Sequence, residues 1–323
     1  MTSIPTSGVG SWPGRDIDEG VRQVLDLADI PYLPELPARG PGSDMVGRAL
    51  GLFDGFGFEL SPTGWRVADH PASHQRRARA RLRDDLDVLE ERAQGYDGRF
   101  KVALCGWWTI LAAVDLQRGG KMLSDPGAVR DVVQAGRAAA LDLVAEVSRR
   151  LPAADCILQI DEPGLAAVLA GGVPTESGIS RYRAVEPEPV ARSFQDLPAR
   201  TVVHSCASQV PIGLLRGAGI TQVSLDGGLV DTSGWDAIAE HIDAGATLWL
   251  GLLPTAQPAV PTADELVTRA LTWLRPLELG PRLLNQLVLT PACGLAPFAA
   301  KDAVKASEVL RRAADLLAEA IVR

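Results

Sequence analysis

His204-Ser205-Cys206 places an imidazole and a thiol two positions apart, at the end of the short apolar run 201–204. In extended backbone that spacing sends both side chains to the same side. Imidazole nitrogen and thiolate sulfur are donors that Zn2+ accepts. Taken alone, the pair reads first as a buried, satisfied histidine beside a small apolar cysteine. The rest of the chain adds to it. Cys293 stands in Thr290-Pro291-Ala292-Cys293-Gly294-Leu295, where proline and glycine shape a loop directly after another apolar run. Asp226 closes Val223-Ser224-Leu225-Asp226 ahead of two glycines. His204, Cys206, Asp226 and Cys293 together offer one nitrogen, two sulfurs and one carboxylate, a set suited to Zn2+ with an exchangeable position for a substrate.

Two other clusters bear on binding. Gln159-Ile160-Asp161-Glu162-Pro163 puts two carboxylates at the end of an apolar run. Helix capping with proline in the first turn accounts for Asp161 and Pro163. Cation binding is the alternative, and capping leaves Gln159 and Glu162 unaccounted for. Gly8-Val9-Gly10-Ser11-Trp12-Pro13-Gly14 lacks the dinucleotide spacing and the acidic ribose partner, but the N–H groups of such a turn can hold a small carboxylate. The basic run from Arg76 to Arg83 precedes Asp84, Asp85, Asp87, Glu90 and Glu91, and reads as a solvated helix with i, i+4 ion pairs. His70, His74 and His241 have no partner pattern.

These residues need elements to position them. Short apolar runs at 8–11, 32–35, 100–105, 156–161, 201–204, 222–226, 247–251 and 286–290 alternate with amphipathic segments. Eight such βα units predict a single (β/α)8 TIM barrel, residues 1–323 forming one domain, with a β-hairpin inserted near 53–69. Ser11, Glu35, Asp161, His204, Asp226 and Cys293 all fall at or just past the carboxyl end of a predicted strand, which in a barrel is the active face. The chain has 323 residues, 46% of them hydrophobic, with a formal net charge of −8. A large core therefore forms without disulfides. The acidic balance argues against a nucleic-acid or anionic-membrane partner, so the expected substrate is small. The first residues carry neither a basic nor an apolar leader segment, which predicts a cytoplasmic protein. The four cysteines lie far apart and are expected as free thiols or metal ligands.

The same residues resemble the catalytic barrel of the cobalamin-independent methionine synthase family, within the superfamily that also holds uroporphyrinogen decarboxylase. The matching pieces run in the family's order: Gly10-Ser11 followed by an aromatic and a proline, Asp44-Met45-Val46, Gln159-Ile160-Asp161-Glu162-Pro163, His204-x-Cys206, Asp226, and Cys293-Gly294-Leu295. The resemblance implies an S-methyltransferase with Zn2+ on His204, Cys206, Asp226 and Cys293, binding homocysteine through its sulfur and making methionine. It implies that Asp161 grips the amino-acid ammonium and that the turn Val9, Gly10, Ser11 takes the carboxylate.

Four departures from the pattern stand out. The full-length family has two barrels, and 323 residues hold only the catalytic one. The zinc carboxylate is Glu in the family and Asp226 here. The Glu that follows Asp-Met-Val is Gly47, which leaves Glu35 as the second ammonium contact. The His that protonates a departing folate aligns with Ala256. The donor is thus methyl-folate or, needing no proton, a methyl-corrinoid or its carrier protein. The alternatives are a corrinoid-to-thiol methyltransferase acting on another thiol, and a non-catalytic homocysteine or methionine binder.

Overall fold

Six of the eight apolar runs become one parallel sheet whose strands follow in sequence order. They are preceded by a hairpin, β1 (Gly57–Ser61) and β2 (Gly64–Ala68), so the sheet comprises β3 (Arg99–Cys105), β4 (Asp155–Asp161), β5 (Thr201–Ser205), β6 (Gln222–Asp226), β7 (Thr247–Leu253) and β8 (Leu287–Pro291). The computed structural model describes residues 3–257 and 259–322. The sheet is curled into a half-barrel, and helices joining successive strands cover its outer face. These are α4 (Trp107–Ala113), α5 (Pro126–Arg150), α6 (Leu165–Ala170), α7 (Pro187–Ser193), α8 (Ile212–Gly217), α9 (Thr232–Asp243) and α10 (Ala263–Leu274), with α11 (Ala300–Val322) closing the chain. Ahead of the sheet lie α1 (Ile17–Leu27), α2 (Met45–Leu50) and α3 (Ser73–Arg92). Among the described residues, no helix is long and apolar enough to cross a membrane.

Local chemistry explains the helix starts. Asp125 accepts from the Ala128 N–H and Pro126 opens α5, while Thr262 and Glu265 form a reciprocal capping box on α10. Helix α4 has no counterpart in the sequence reading. Trp107, Trp108, Thr109, Ile110 and Leu111 are all buried, so no polar stripe marks the helical period.

The two predicted strands at 8–11 and 32–35 do not form ladders. The stretches around them make isolated parallel bridges, Thr6 with Leu289 of β8, Ser7 with Ile30, Ser11 with Glu35, and Tyr32 with Lys101 of β3. Pro5, Pro13, Pro31 and Pro34 have no N–H to donate, which limits these stretches to single bridges. The hairpin lies where it is expected, with Gly57 opposite Ala68 and Ser61 opposite Gly64. It is tied down through the Val67 N–H to the Asp115 carbonyl at 2.8 Å.

One buried cluster, Ile30, Ile157, Val202, Trp249 and Val288, is separate from the main core and takes one residue from each of five extended segments. It fills the inside of the curl. Because side chains alternate along a strand, the same inner face continues toward the carboxyl ends as Gln159 and Asp161 on β4, His204 on β5, Ser224 and Asp226 on β6, and Thr290 on β8. The register sets Asp161 beside His204, and His204 beside Ser224.

Candidate functional site

His204 lies buried one residue before the end of β5, and its Nδ1 lies 2.9 Å from Ser224 Oγ on β6. With Nδ1 donating to that hydroxyl, Nε2 is left as the lone-pair nitrogen, and Nε2 is buried without a hydrogen-bond partner. Two residues further on, Cys206 leaves the strand. Cys293 arrives 87 positions later in the loop after β8, with the two sulfurs 3.8 Å apart. The ligand atoms of His204, Cys206 and Cys293 all lie within 4.8 Å of one another. Two sulfurs each about 2.3 Å from one tetrahedral ion stand roughly 3.8 Å apart, so the pair already has the spacing Zn2+ requires. The donor set of one imidazole and two thiols also matches the metal's preference. Cys206 and then His204 pull the Cys293 thiol down, while the bond to Cys293 and burial push Cys206 up.

Gly294 is what lets this loop close. A Cβ there would run into the Ser11 side chain, and the Leu295 N–H donates to the Ser11 carbonyl at 2.8 Å. The turn of Val9, Gly10 and Ser11 is therefore fastened to the Cys293 loop. Asp226 stands apart from the trio. It is half-buried, and its Oδ1 accepts from the Gly228 N–H at 2.8 Å in an N-cap geometry. Burial raises its pKa. Among the described residues, the three-member group does not include it.

Asp161 is buried on the neighbouring strand, its pKa raised by burial and pulled back by His204 and Lys101. Gln159 Nε2 donates to Asp161 Oδ1 at 2.6 Å and to the Val9 carbonyl at 2.8 Å. Glu35 is buried 3.4 Å from the Arg48 guanidinium, and burial pushes its carboxyl up to about 7. Neither terminal nitrogen of Arg48 makes a hydrogen bond. The sequence reading missed Ser224, Arg48 and Lys101. Lys101 had left a signal, an ammonium in the middle of the apolar run Phe100-Lys101-Val102-Ala103-Leu104.

Glu162 has a structural task. Its oxygens accept from the Trp108 N–H at 3.0 Å and from the Thr109 N–H and hydroxyl at 2.8 and 2.7 Å, so it caps α4 from the end of β4. Gly106 is needed for this approach, since a Cβ would occupy the place of the carboxyl group. Burial pushes Glu162 up to about 7 from 4.5. A raised carboxyl favours the folded state while it is protonated, and that advantage is lost as pH rises through about 7. Unfolding free energy is expected to fall by on the order of 3 kcal/mol from this group between about pH 4.5 and pH 7. Urea unfolding of wild type and Glu162→Gln across that window checks this. Equal slopes for both proteins would remove Glu162 as the cause.

Ser224→Ala tests the imidazole's support. The expected result is an intact fold with Zn2+ affinity lowered about 10- to 100-fold, as when other outer partners of metal-binding histidines are removed. Metal titration against a chelator reads it, and unchanged affinity would show that Ser224 does not orient His204.

A parallel sheet that gathers an imidazole, two thiols and a buried carboxylate at the carboxyl ends of its strands defines an α/β enzyme of the strand-end type. The family model described as the catalytic domain of cobalamin-independent synthase matches residues 106–316, and the chain belongs to that family. The matched span holds Asp161, His204, Cys206, Asp226 and Cys293, while Val9 to Ser11 and Glu35 precede it. Among solved structures, a B12-independent methionine synthase from Shewanella sp. W3-18-1, in complex with selenomethionine, is similar with a TM-score of 0.63 over 98% of each chain at 14% identity, which is a likeness of fold. No curated protein matches the sequence significantly.

Proposed function

We propose that this protein is a single-domain, zinc-dependent S-methyltransferase of 323 residues that moves a methyl group to the thiol of homocysteine and makes methionine. In this reading the half-barrel and its two bridged stretches act as one closed eight-stranded (β/α)8 barrel. The observation that carries the proposal is the convergence of the His204 imidazole with the Cys206 and Cys293 sulfurs. It supports a site in which these three residues would hold Zn2+; Asp226, kept in this reading as a further ligand, would have to leave its bond to the Gly228 N–H to join them. When bound, the ion acidifies a coordinated thiol, so that the sulfur is a nucleophile at neutral pH.

The chain's own residues do the rest. Asp161 receives the ammonium of the amino acid with help from Glu35, and the N–H groups and hydroxyl of Val9, Gly10 and Ser11 receive its carboxylate. That grip directs the side-chain sulfur toward Cys206 and Cys293. The bond from Leu295 to Ser11 keeps the two subsites in step. The four free cysteines fit the reducing cytoplasm as the place of action.

The test is direct. Zinc-loaded protein given homocysteine and a methyl donor, methyl-folate in one arm and a methyl-corrinoid in the other, is expected to form methionine in at least one arm. Homocysteine binding without methionine from either donor would reduce the protein to a binder. A second acceptor, a thiol other than homocysteine, is favoured by Arg48. Its guanidinium lies against Glu35 with both terminal nitrogens free of hydrogen bonds, a cation able to take an anionic group near the place assigned to the amino group.

A further inference from the structure

Lys101 lies wholly buried inside the curl of the sheet, an environment that ordinarily excludes an ammonium unless something there uses it. It sits over the rings of Tyr32 and Trp249, 5.1 and 6.0 Å from their centroids. Its Nζ donates to the Val9 carbonyl at 2.8 Å and to Gln159 Oε1. The other end of that amide, Nε2, donates to the same Val9 carbonyl at 2.8 Å and to Asp161 Oδ1 at 2.6 Å. One carbonyl, one amide and one carboxylate are thus fastened to a single ammonium.

The chemistry gives the arrangement a direction. A protonated lysine only donates, so it can meet only the oxygen of the Gln159 amide, which turns the nitrogen toward Asp161. Asp161 Oδ1 is thereby taken up, and the carboxylate keeps its other oxygen for a further donor. The Val9 carbonyl belongs to the stretch to which the acceptor reading gives the substrate carboxylate. An α-amino acid carries its ammonium and carboxylate on one carbon, so the groups receiving them must stand at one fixed separation.

We propose that Lys101 is a positioning residue which, through Gln159 and the Val9 carbonyl, fixes the Val9–Ser11 turn relative to the Asp161 carboxylate and so makes the site selective for a thiol carrying an α-amino acid head. This inference rests on the acceptor reading above and adds a residue and a selectivity to it. Lys101 touches neither the reacting sulfur nor the trio, and its effect passes through Asp161 and the turn.

The experiment uses zinc-loaded full-length protein and two probes in calorimetry, homocysteine and 4-sulfanylbutanoate, the same thiol acid without the amino group. Wild type is expected to prefer homocysteine. Lys101→Met is expected to weaken homocysteine binding about 10- to 100-fold, the range for losing hydrogen bonds to charged groups. The same variant should change binding of the amino-free thiol by less than about threefold, because that probe occupies the turn alone and needs no fixed separation between the turn and Asp161. Zinc content stays that of wild type. The double variant Lys101→Met/Asp161→Asn is expected to bind homocysteine no more weakly than Asp161→Asn alone, since without the Asp161 charge there is no second anchor whose separation from the turn Lys101 could fix. Gln159→Met breaks the same link further along while leaving Lys101 its bond to Val9, and it decides the question if the Lys101 variant fails to fold. Equal losses for both probes, additive losses in the double variant, or an unchanged preference for homocysteine would each overturn the proposal and leave the acceptor reading standing. A wild type that does not prefer homocysteine would instead sink the acceptor reading, and this inference with it.

Discussion

Cys293→Ser is expected to give a folded protein that neither retains Zn2+ nor transfers methyl groups. Cys293 is one of only two sulfurs in the trio, and a serine hydroxyl stays protonated at neutral pH where a thiol becomes a thiolate. The loss in metal affinity should exceed the roughly 10- to 100-fold that follows removal of an outer hydrogen-bond partner, so methyl transfer should fall below detection. Stability without metal should change by less than about 1 kcal/mol, because Cys293 is half-buried in a loop and serine nearly matches its shape. Bound metal by atomic absorption, homocysteine affinity and the melting temperature of the metal-free protein separate these effects. Full zinc occupancy in the variant would remove Cys293 from the ligand set, and the proposed chemistry would have to be abandoned.

The second large effect concerns the donor. When sulfur takes a methyl group from methyl-folate, the new S–C bond forms as an N–C bond breaks, and the electron pair left on nitrogen needs a proton. The loop after β7 reads Leu253-Pro254-Thr255-Ala256-Gln257, with exposed Ala256 where the family resemblance calls for a histidine. The chain's four histidines lie elsewhere. His204 belongs to the trio, His241 is buried within α9, His70 lies between β2 and α3, and His74 is in the first turn of α3. A missing general acid lowers such a step by roughly 10²- to 10⁴-fold. A methyl-corrinoid makes no such demand, because the pair of the broken Co–C bond stays on cobalt. Transfer from a methyl-corrinoid is therefore expected to outrun transfer from methyl-folate by about that factor under equal donor concentrations. Placing a histidine in the loop, Ala256→His, should raise the folate rate and leave the corrinoid rate alone. Faster turnover of methyl-folate by the wild type would reject this assignment.

The pattern of apolar runs was enough to read six parallel strands and their order, because a strand buried on both faces has to be apolar over its whole length. The hairpin was legible from its glycines and alternation. Residue types likewise pointed to His204, Cys206 and Cys293, since a thiol and an imidazole at strand ends carry their chemistry with them. Helix α4 is not legible because its first five residues are all buried and its last two are alanines, so no polar stripe marks the helical period. The weak pairing of residues 8–11 and 32–35 depends on where each proline falls relative to a neighbouring strand, and a single chain read in one dimension has no neighbours.

Chemical identity and periodicity are local properties, so the sequence alone determined the kind of sheet, the side chains able to bind a soft cation, and the absence of a histidine after β7. Which of them meet is a matter of register and loop closure across 87 positions, and only the tertiary structure decided it. It drew Cys293 to Cys206 and left Asp226 capping its own turn. It assigned Glu162 to the start of α4 and joined Lys101 to Asp161 through Gln159. A hydrogen bond lasts only where donor and acceptor are brought within about 3 Å, and the packing of the whole chain sets that distance.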